Sequence, residues 1–529
     1  MKCADLLINC AFWDQIVPLR LLSLFDSWIL GSVIEDLNRK RIIEVHLLPS
    51  EMSYRHTKIV FTVGPATESE DMLRQVLSAG GNVCRLNMAH ATHDWCRELV
   101  ARLRSISKEM EIPVAVMMDV KGPEVRTGPV SDPIEFQSDD ELLICREADE
   151  AGLREGNEVP VVSTNYGGLM DDVAVGDRLL IDNGLLQFSI IGKESGYLRC
   201  RAENHGTMGS RRHINLPGIT TRLPAITQKD REDTEFGIGI GVDFFAMSFV
   251  READDVDLMR RFLTERGSQA RIISKIEDHN AIENLENIVK ASDGLMVARG
   301  DLGIEVPFEQ LPIIQRRAVD LCLKIGRPVI IATHLLESMI SSPVPTRAEI
   351  TDVANGVTER ADCLMLSGET TVGKFPVRCL EIMDRTIRSI EDYIPNEHNE
   401  GLQLKSAKAK LLRSAVVLAE DLGGVGIVVF TRNGYLARVL SLLRPLKSPV
   451  YAFTDEESVY RQMSLLWGVC PLFMELSRDS EAVIRNAFRM LCERCGTKDG
   501  DQLVVITNVL LEGEVLDTVQ LRTVENASK

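Results

Sequence analysis

The chain has 529 residues, 45% hydrophobic and 26% charged, with a formal net charge of -18. These globular proportions over such a length call for about two to four domains rather than one core. An acidic balance of this size excludes a general affinity for nucleic acid, and any anionic substrate must be held by a local basic cluster. The 12 cysteines are scattered, which predicts free thiols in a reducing, cytoplasmic setting rather than a disulfide framework. Cys492-Glu-Arg-Cys495 has no second pair to complete a zinc site and reads as two thiols on neighbouring turns of a helix.

Residues 1–51 are apolar, but Asp14, Arg20 and Asp26 interrupt them before a membrane span is reached. They lack a clear basic n-region or cleavage site, and their acidic residues argue against a transit peptide. Met52 stands just before the first strand-like run and could itself be an initiator. We therefore expect an N-terminal extension added to the folded chain, with a partner-binding helical arm as the alternative.

From residue 58 a unit recurs: a short apolar run, a polar tip and an amphipathic stretch. The runs are 58–63, 82–86, 114–118, 242–247, 271–274, 294–298, 328–332 and 363–366, with helical patterns such as 70–78 and 309–325 between them. Eight buried strands alternating with helices predict a (β/α)₈ TIM barrel, over 52–121 and 223–394. One gap is about 120 residues long, where other units take roughly twenty to thirty-five. Its alternating stretches 178–180, 187–191 and 197–202, punctuated by glycine, predict an inserted small β-barrel over 122–222 that could serve as a lid. A polar linker at 395–401 opens a separate open α/β domain over 395–529, with a helix near 405–421, strands at 426–430, 450–453 and 503–506, and a helix near 480–492.

In such a barrel the active site lies at the carboxyl ends of the strands. The tips there are Arg85-Leu-Asn87, Asp119-Val-Lys-Gly-Pro-Glu-Val-Arg126, Lys275 with Glu277, Arg299 with Asp301, Thr333, and Ser367-Gly-Glu369. Two carboxylates on adjacent strand ends, Glu277 and Asp301, suit Mg²⁺, which favours one or two carboxylates plus substrate oxygens and water. Lys275 adds a positive charge beside them, so the set points to chemistry on an anionic, phosphorylated substrate.

Thr57-Lys-Ile-Val-Phe-Thr-Val-Gly-Pro-Ala66, Ile273-Ser-Lys-Ile-Glu277, Met296-Val-Ala-Arg-Gly-Asp-Leu-Gly-Ile-Glu305, Pro345-Thr-Arg-Ala-Glu349 and Met365-Leu-Ser-Gly-Glu-Thr370 resemble the pyruvate kinase family, closely over about 55–390 and in outline beyond. The resemblance implies transfer of phosphate from phosphoenolpyruvate to ADP, a homotetramer, and no nucleic-acid or membrane partner. It implies Lys275 at the phosphoryl group, Glu277 and Asp301 on Mg²⁺ or Mn²⁺, and Arg85 clamping phosphate. Backbone N–H groups at Arg299, Gly300 and Asp301 would cradle the substrate carboxylate. Thr333 would relay a proton to the enolate carbon, with Ser367 and Glu369 behind it. Arg126 and, on the nucleotide side, Asn87, His90, Arg211 and Arg212 complete the set.

The chain also departs from that family. Arg85-Leu-Asn-Met-Ala-His-Ala91 lacks the usual serine, so Ala89 removes a side-chain ligand of the family's K⁺ site, while Asn87, Asp119 and the Val120 carbonyl remain. Glu124 matches members that need K⁺. His334 stands where glutamine is usual, which reads either as a tolerated swap or as an altered pH profile. The loop Thr431-Arg-Asn-Gly-Tyr-Leu-Ala437 is poor in hydroxyls and Asn508-Val-Leu-Leu-Glu-Gly-Glu514 carries two glutamates, so little activation by fructose 1,6-bisphosphate is expected; Arg432, Arg438 and Arg444 could hold another anion. The alternatives are another phosphoenolpyruvate or 2-oxo-acid enzyme on the same scaffold, and a catalytically weak paralogue retained as a regulatory subunit.

Overall fold

A computed structural model describes residues 54–525 apart from 156, 195, 395–401, 403, 405, 478 and 512–513, and without the side chains of 508–515. The expected N-terminal extension and the linker at 395–401 lie outside the described residues, as do Glu512 and the side chain of Glu514 in the late loop.

Eight parallel strands close into a barrel: β1 (Lys58–Thr62), β2 (Val83–Asn87), β3 (Ala115–Val120), β4 (Phe244–Met247), β5 (Arg271–Ile276), β6 (Gly294–Ala298), β7 (Val329–Ala332) and β8 (Cys363–Leu366), with β8 pairing back onto β1 at Cys363 and Lys58. Both faces of each strand are covered, which is why the runs are continuously apolar instead of alternating. Period two still divides them. Val60, Val83, Met117, Ala246, Ile273, Met296, Ile330 and Met365 pack inside the barrel. Their neighbours Ile59, Val116, Phe245, Ile272, Val297, Ile331 and Leu364 pack outward against the helices. Those helices begin where a hydroxyl can take a free backbone N–H: Ser69, Thr92, Thr227 and Thr346 each cap one. The helix Leu311–Ile325 stops at Gly326, whose φ of 92° an L side chain would resist.

The insertion between β3 and β4 is a six-stranded sheet with a two-stranded partner, built around Phe136 and Phe188, whose rings meet edge to face at 5.2 Å. The sheet's edge strands are Ile214–Asn215 and Val161–Thr164. Single bridges from Arg126 to His213 and from Thr127 to Thr164 join the two edges. The expected β-barrel thus curls shut through residues 126–127 rather than through a continuous ladder.

The C-terminal sheet runs in the order Val469–Phe473, Val450–Thr454, Gly426–Phe430, Gln502–Leu511, Glu514–Thr523, parallel except for the last pair. It carries two strands more than the sequence reading named. Its helix Ser480–Arg494 ends before Cys495, so the two thiols do not share a helix; Cys495 instead hydrogen-bonds Cys470.

The barrel's base grips this sheet through buried charge. Arg444 is fully buried, pairs with Asp362 at 2.9 Å, donates to the Arg360 carbonyl at 3.1 Å and lies 4.9 Å from the Trp467 ring centre. That corrects its reading as an anion ligand: its charge is already matched. Lys58 donates to the Val469 carbonyl at 2.8 Å, and Asp243 bridges Arg104 at 2.6 Å and Arg461 at 2.8 Å. Arg444→Met leaves Asp362 buried without its partner and is expected to destabilise the protein by about 3–5 kcal/mol; a urea midpoint within error of the parent would contradict this.

Candidate active site

The inner face of the barrel changes character two residues above its apolar plug. Extending each inward set by one period-two step leads from Val60 to Thr62, Val83 to Arg85, Met117 to Asp119, Ala246 to Ser248, Ile273 to Lys275 and then Glu277, and Met365 to Ser367. The side chains that can do chemistry are thus aimed at one rim by the same alternation that builds the core.

They meet there as a chain of alternating charge. Arg85 donates from Nε to Asp119 at 2.7 Å and from Nη1 to the Thr62 hydroxyl at 3.1 Å. The Lys275 ammonium places its three donors on Glu277 Oε1 at 2.8 Å, Asp119 Oδ1 at 3.3 Å and Ser248 Oγ at 2.8 Å. The Ser248 hydroxyl donates to the Val120 carbonyl at 2.8 Å. Glu277 accepts at Oε2 from the Phe249 N–H at 2.7 Å, an amide aimed by a positive φ of 53°.

Burial and charge oppose each other in this row. Burial alone would lower the Lys275 pKa, but Asp119 and Glu277 outweigh it and hold it above the ordinary lysine value. Burial would raise Asp119, but Lys275 and Arg85 win and lower it. Glu277 goes the other way: burial raises its pKa to about 7, with Asp301 adding to the rise and Lys275 opposing it. A carboxyl kept partly protonated beside a second acid is a site short of positive charge. Glu277 and Asp301, near enough for the charge of one to raise the other, are the hard-oxygen pair that could hold Mg²⁺ or Mn²⁺. No cluster of three or more metal-ligating side chains exists among the described residues.

Across the rim, Thr333 stands at the end of β7 with φ 69° and His334 follows at φ 57°. A β-branched residue in that region is strained and must be held. The Thr333 hydroxyl accepts the Gly300 N–H at 2.8 Å and donates to the Ala332 carbonyl at 2.7 Å. Arg299 reaches the Ala332 carbonyl at 3.2 Å, the Thr333 carbonyl at 2.6 Å and Asp352 at 2.7 Å. The side chain of Arg299 is therefore a clasp on this turn. The backbone cradle expected at 299–301 starts with its Gly300 donor already on Thr333. Glu369, buried, accepts from Leu336 N at 3.1 Å and Ser367 N at 2.7 Å, tying the β8 tip to the chain after Thr333. The Ser367 hydroxyl is buried without a partner.

The remaining candidates lie apart from this row. Arg126 donates to Glu124 at 2.7 Å and to the Arg211 carbonyl at 2.9 Å, while Lys121 meets Glu124 at 3.0 Å. Arg212 turns toward Asp182 at 3.4 Å, and His90 is exposed after β2. The Asn87 carboxamide accepts from Ala89 N at 3.2 Å. Sequence reasoning missed Ser248, although the inward step from Ala246 marks it. It also missed the Phe249 N–H, aimed by a backbone angle, and the pairing of Asp352 with Arg299, which comes from a helix distant in sequence.

Comparison with known proteins agrees with this geometry. Residues 54–380 match the family described as pyruvate kinase, barrel domain, and residues 409–520 match the pyruvate kinase alpha/beta domain. Plastidial pyruvate kinase 2 of Arabidopsis thaliana is 38% identical over 478 residues, covering 89% of this chain and 81% of that protein. Pyruvate kinase of Dictyostelium discoideum is 37% identical over 484 residues, covering 89% and 94% respectively. Pyruvate kinase of Staphylococcus epidermidis is 37% identical over 478 residues, covering 87% and 78%. With the alternating-charge rim, the inserted β domain and the C-terminal sheet all in place, the chain belongs to the pyruvate kinase family.

Proposed function

We propose that the chain is a working pyruvate kinase that moves the phosphoryl group of phosphoenolpyruvate to ADP. The observation that carries this is the Lys275 ammonium held among Asp119, Glu277 and Ser248 at the rim. Phosphoryl transfer needs positioning and charge neutralisation more than covalent help. The ADP β-phosphate oxygen forms a bond to phosphorus, the bond from phosphorus to the enolate oxygen breaks, and the enolate carbon then takes a proton. Arg85 and Lys275 supply positive charge where the phosphoryl group passes, and Arg85 is kept in aim by Asp119 and Thr62. Glu277 and Asp301 would hold Mg²⁺ or Mn²⁺, which would supply charge to offset the anionic oxygens. Thr333, fixed at both its donor and acceptor sides, is the relay to the enolate carbon, and the unpartnered Ser367 hydroxyl offers a place for a bridging water. Arg126, His90, Arg211 and Arg212 are assigned to the nucleotide side. All ten described cysteines are free, which supports the cytoplasm as the working compartment, and no helix among the described residues is long and apolar enough to cross a membrane.

Lys275→Met is expected to cut ADP-dependent pyruvate release, read through coupled NADH oxidation, by about 10³-fold or more. Retained activity in a folded variant would sink the assignment. Asn87, Asp119 and the Val120 carbonyl are assigned to K⁺, with Glu124 consistent with that need. Replacing K⁺ by tetramethylammonium should therefore lower the rate, whereas equal rates in the two salts would remove the site.

The Glu277 shift gives a signed pH effect. Its folded pKa, about 7, lies above its unfolded value, so the folded state binds the proton more tightly. That contribution to stability is complete below the unfolded pKa and is lost as pH rises through the folded one. Glu305, also raised to about 7 by burial, acts in the same direction. Metal binding displaces the Glu277 proton, so the stabilisation by saturating Mg²⁺ should grow between roughly pH 5 and 8 in thermal unfolding. A Mg²⁺ effect constant across that window would contradict the assignment of Glu277.

A further inference from the structure

Where the inserted domain meets the barrel, a cleft of about 530 Å³ opens beside the rim. Arg85, Asp119, Lys275, Glu277 and Thr333 do not line it. Phe249 lines the cleft while its N–H holds Glu277, so it stands between the two sites. Asn215 enters from the inserted domain, and Arg251, Asp278 and Glu305 from the barrel. Asn215 is 4% exposed and only half satisfied: its Nδ2 donates to Glu305 Oε1 at 3.0 Å, and its Oδ1 is buried with no partner. The carboxamide cannot turn over to relieve this, because Oδ1 would then face a carboxylate. A buried acceptor without a donor is costly to leave so. The charge of the cleft is incomplete as well. Glu305 has no ion-pair partner among the described residues. Burial, then Asp278 and Asp301, raise its pKa to about 7, against Asn215 and His279. Arg251 is already committed, with Nη1 on the Thr221 carbonyl at 2.8 Å, Nη2 on the Leu223 carbonyl at 2.9 Å and Nε 3.6 Å from Asp255. Burial lowers the pKa of His213, also in the wall, which keeps that ring neutral.

We propose that this cleft binds a small primary amine in its ammonium form, with Glu305 and the Asn215 carbonyl oxygen taking its N–H groups. An ammonium brings one positive charge and three donors, which are what an unpaired carboxylate and an empty carbonyl lack. Charge-assisted hydrogen bonds to a carboxylate are the strong kind. Leu216, Ile219, Leu223 and Phe249 offer apolar wall for the carbon tail. A mostly apolar cleft of this size with a few convergent polar groups suits a small molecule and not a macromolecule. The inference stands on the cleft alone and does not rest on the activity proposed above.

The test uses the full-length protein with n-hexylamine as probe, read by titration calorimetry and thermal shift. At about pH 8 the alkylamine is protonated and Glu305 is ionised. Excess Mg²⁺ and K⁺ are present, because the acids of the rim also attract a cation. The parent should bind hexylammonium saturably. It should bind 1-hexanol and hexyltrimethylammonium, which carry the same tail, at least tenfold more weakly. Glu305→Gln keeps an acceptor for Asn215 Nδ2 but removes the charge, and should weaken hexylammonium binding at least tenfold. Asn215→Ala, which removes the empty acceptor, is read in the same way and replaces it if Glu305→Gln does not fold. No saturable binding of hexylammonium would overturn the proposal. Equal binding of hexanol would reduce the cleft to an apolar surface and overturn it too. So would equal affinity in parent and variant, which would place the amine at the rim alone.

Discussion

A buried ammonium surrounded by two carboxylates and a hydroxyl is the constraint on which the rest of this structure turns. Lys275 cannot be taken out of water alone; its charge survives burial because Asp119 and Glu277 stand at 3.3 and 2.8 Å. Each partner must in turn be held. Asp119 is shared with Arg85, and Glu277 with the Phe249 amide. The result is a row of alternating charge with one acid, Asp301, beyond its end. Glu277 is the member on which that imbalance falls, and this is why its pKa moves opposite to that of Asp119.

The barrel delivers such a row because strand alternation does not stop where the hydrophobic core stops. Positions that point inward low in the barrel are aliphatic and fill it. The same positions higher up are Thr62, Arg85, Asp119, Ser248, Lys275 and Ser367. The strained turn at Thr333 and His334 answers this row from the other side. It is held by Arg299 and by the tie that Glu369 makes to the neighbouring strand end, so the hydroxyl of Thr333 sits on a rigid support. At the opposite end of the barrel the ion pairs of Asp362 with Arg444 and of Asp243 with Arg461 join it to the C-terminal domain, so both ends of the strands carry buried charge.

Much of this was legible in the residues. Continuous aliphatic runs of strand length, each ending in a polar tip, mark parallel strands buried on both faces, and all eight were placed to within a few residues. The insertion was visible as a break in spacing, and Lys275, Glu277 and Asp301 as charges at strand ends. What was not legible depends on long-range packing. Arg444 looks like a surface anion ligand until Asp362 is brought to it. Nothing local shows that the Arg299 side chain clasps the turn at Thr333. The strand Glu514–Thr523 alternates with polar residues at a sheet edge, a weaker signal than a buried run, and Cys495 falls one residue beyond its helix.

The central claim is that the two acids beyond Lys275 hold a divalent cation against the substrate. Crystals grown with Mn²⁺ and oxalate, an anion resembling the enolate of pyruvate, test it most directly through the anomalous signal of the metal. The account predicts a peak bonded to carboxylate oxygens of both Glu277 and Asp301, with oxalate completing the shell and the Lys275 ammonium beside it. A peak bound by neither carboxylate, with Lys275 still paired to Glu277 as in the free protein, would contradict it.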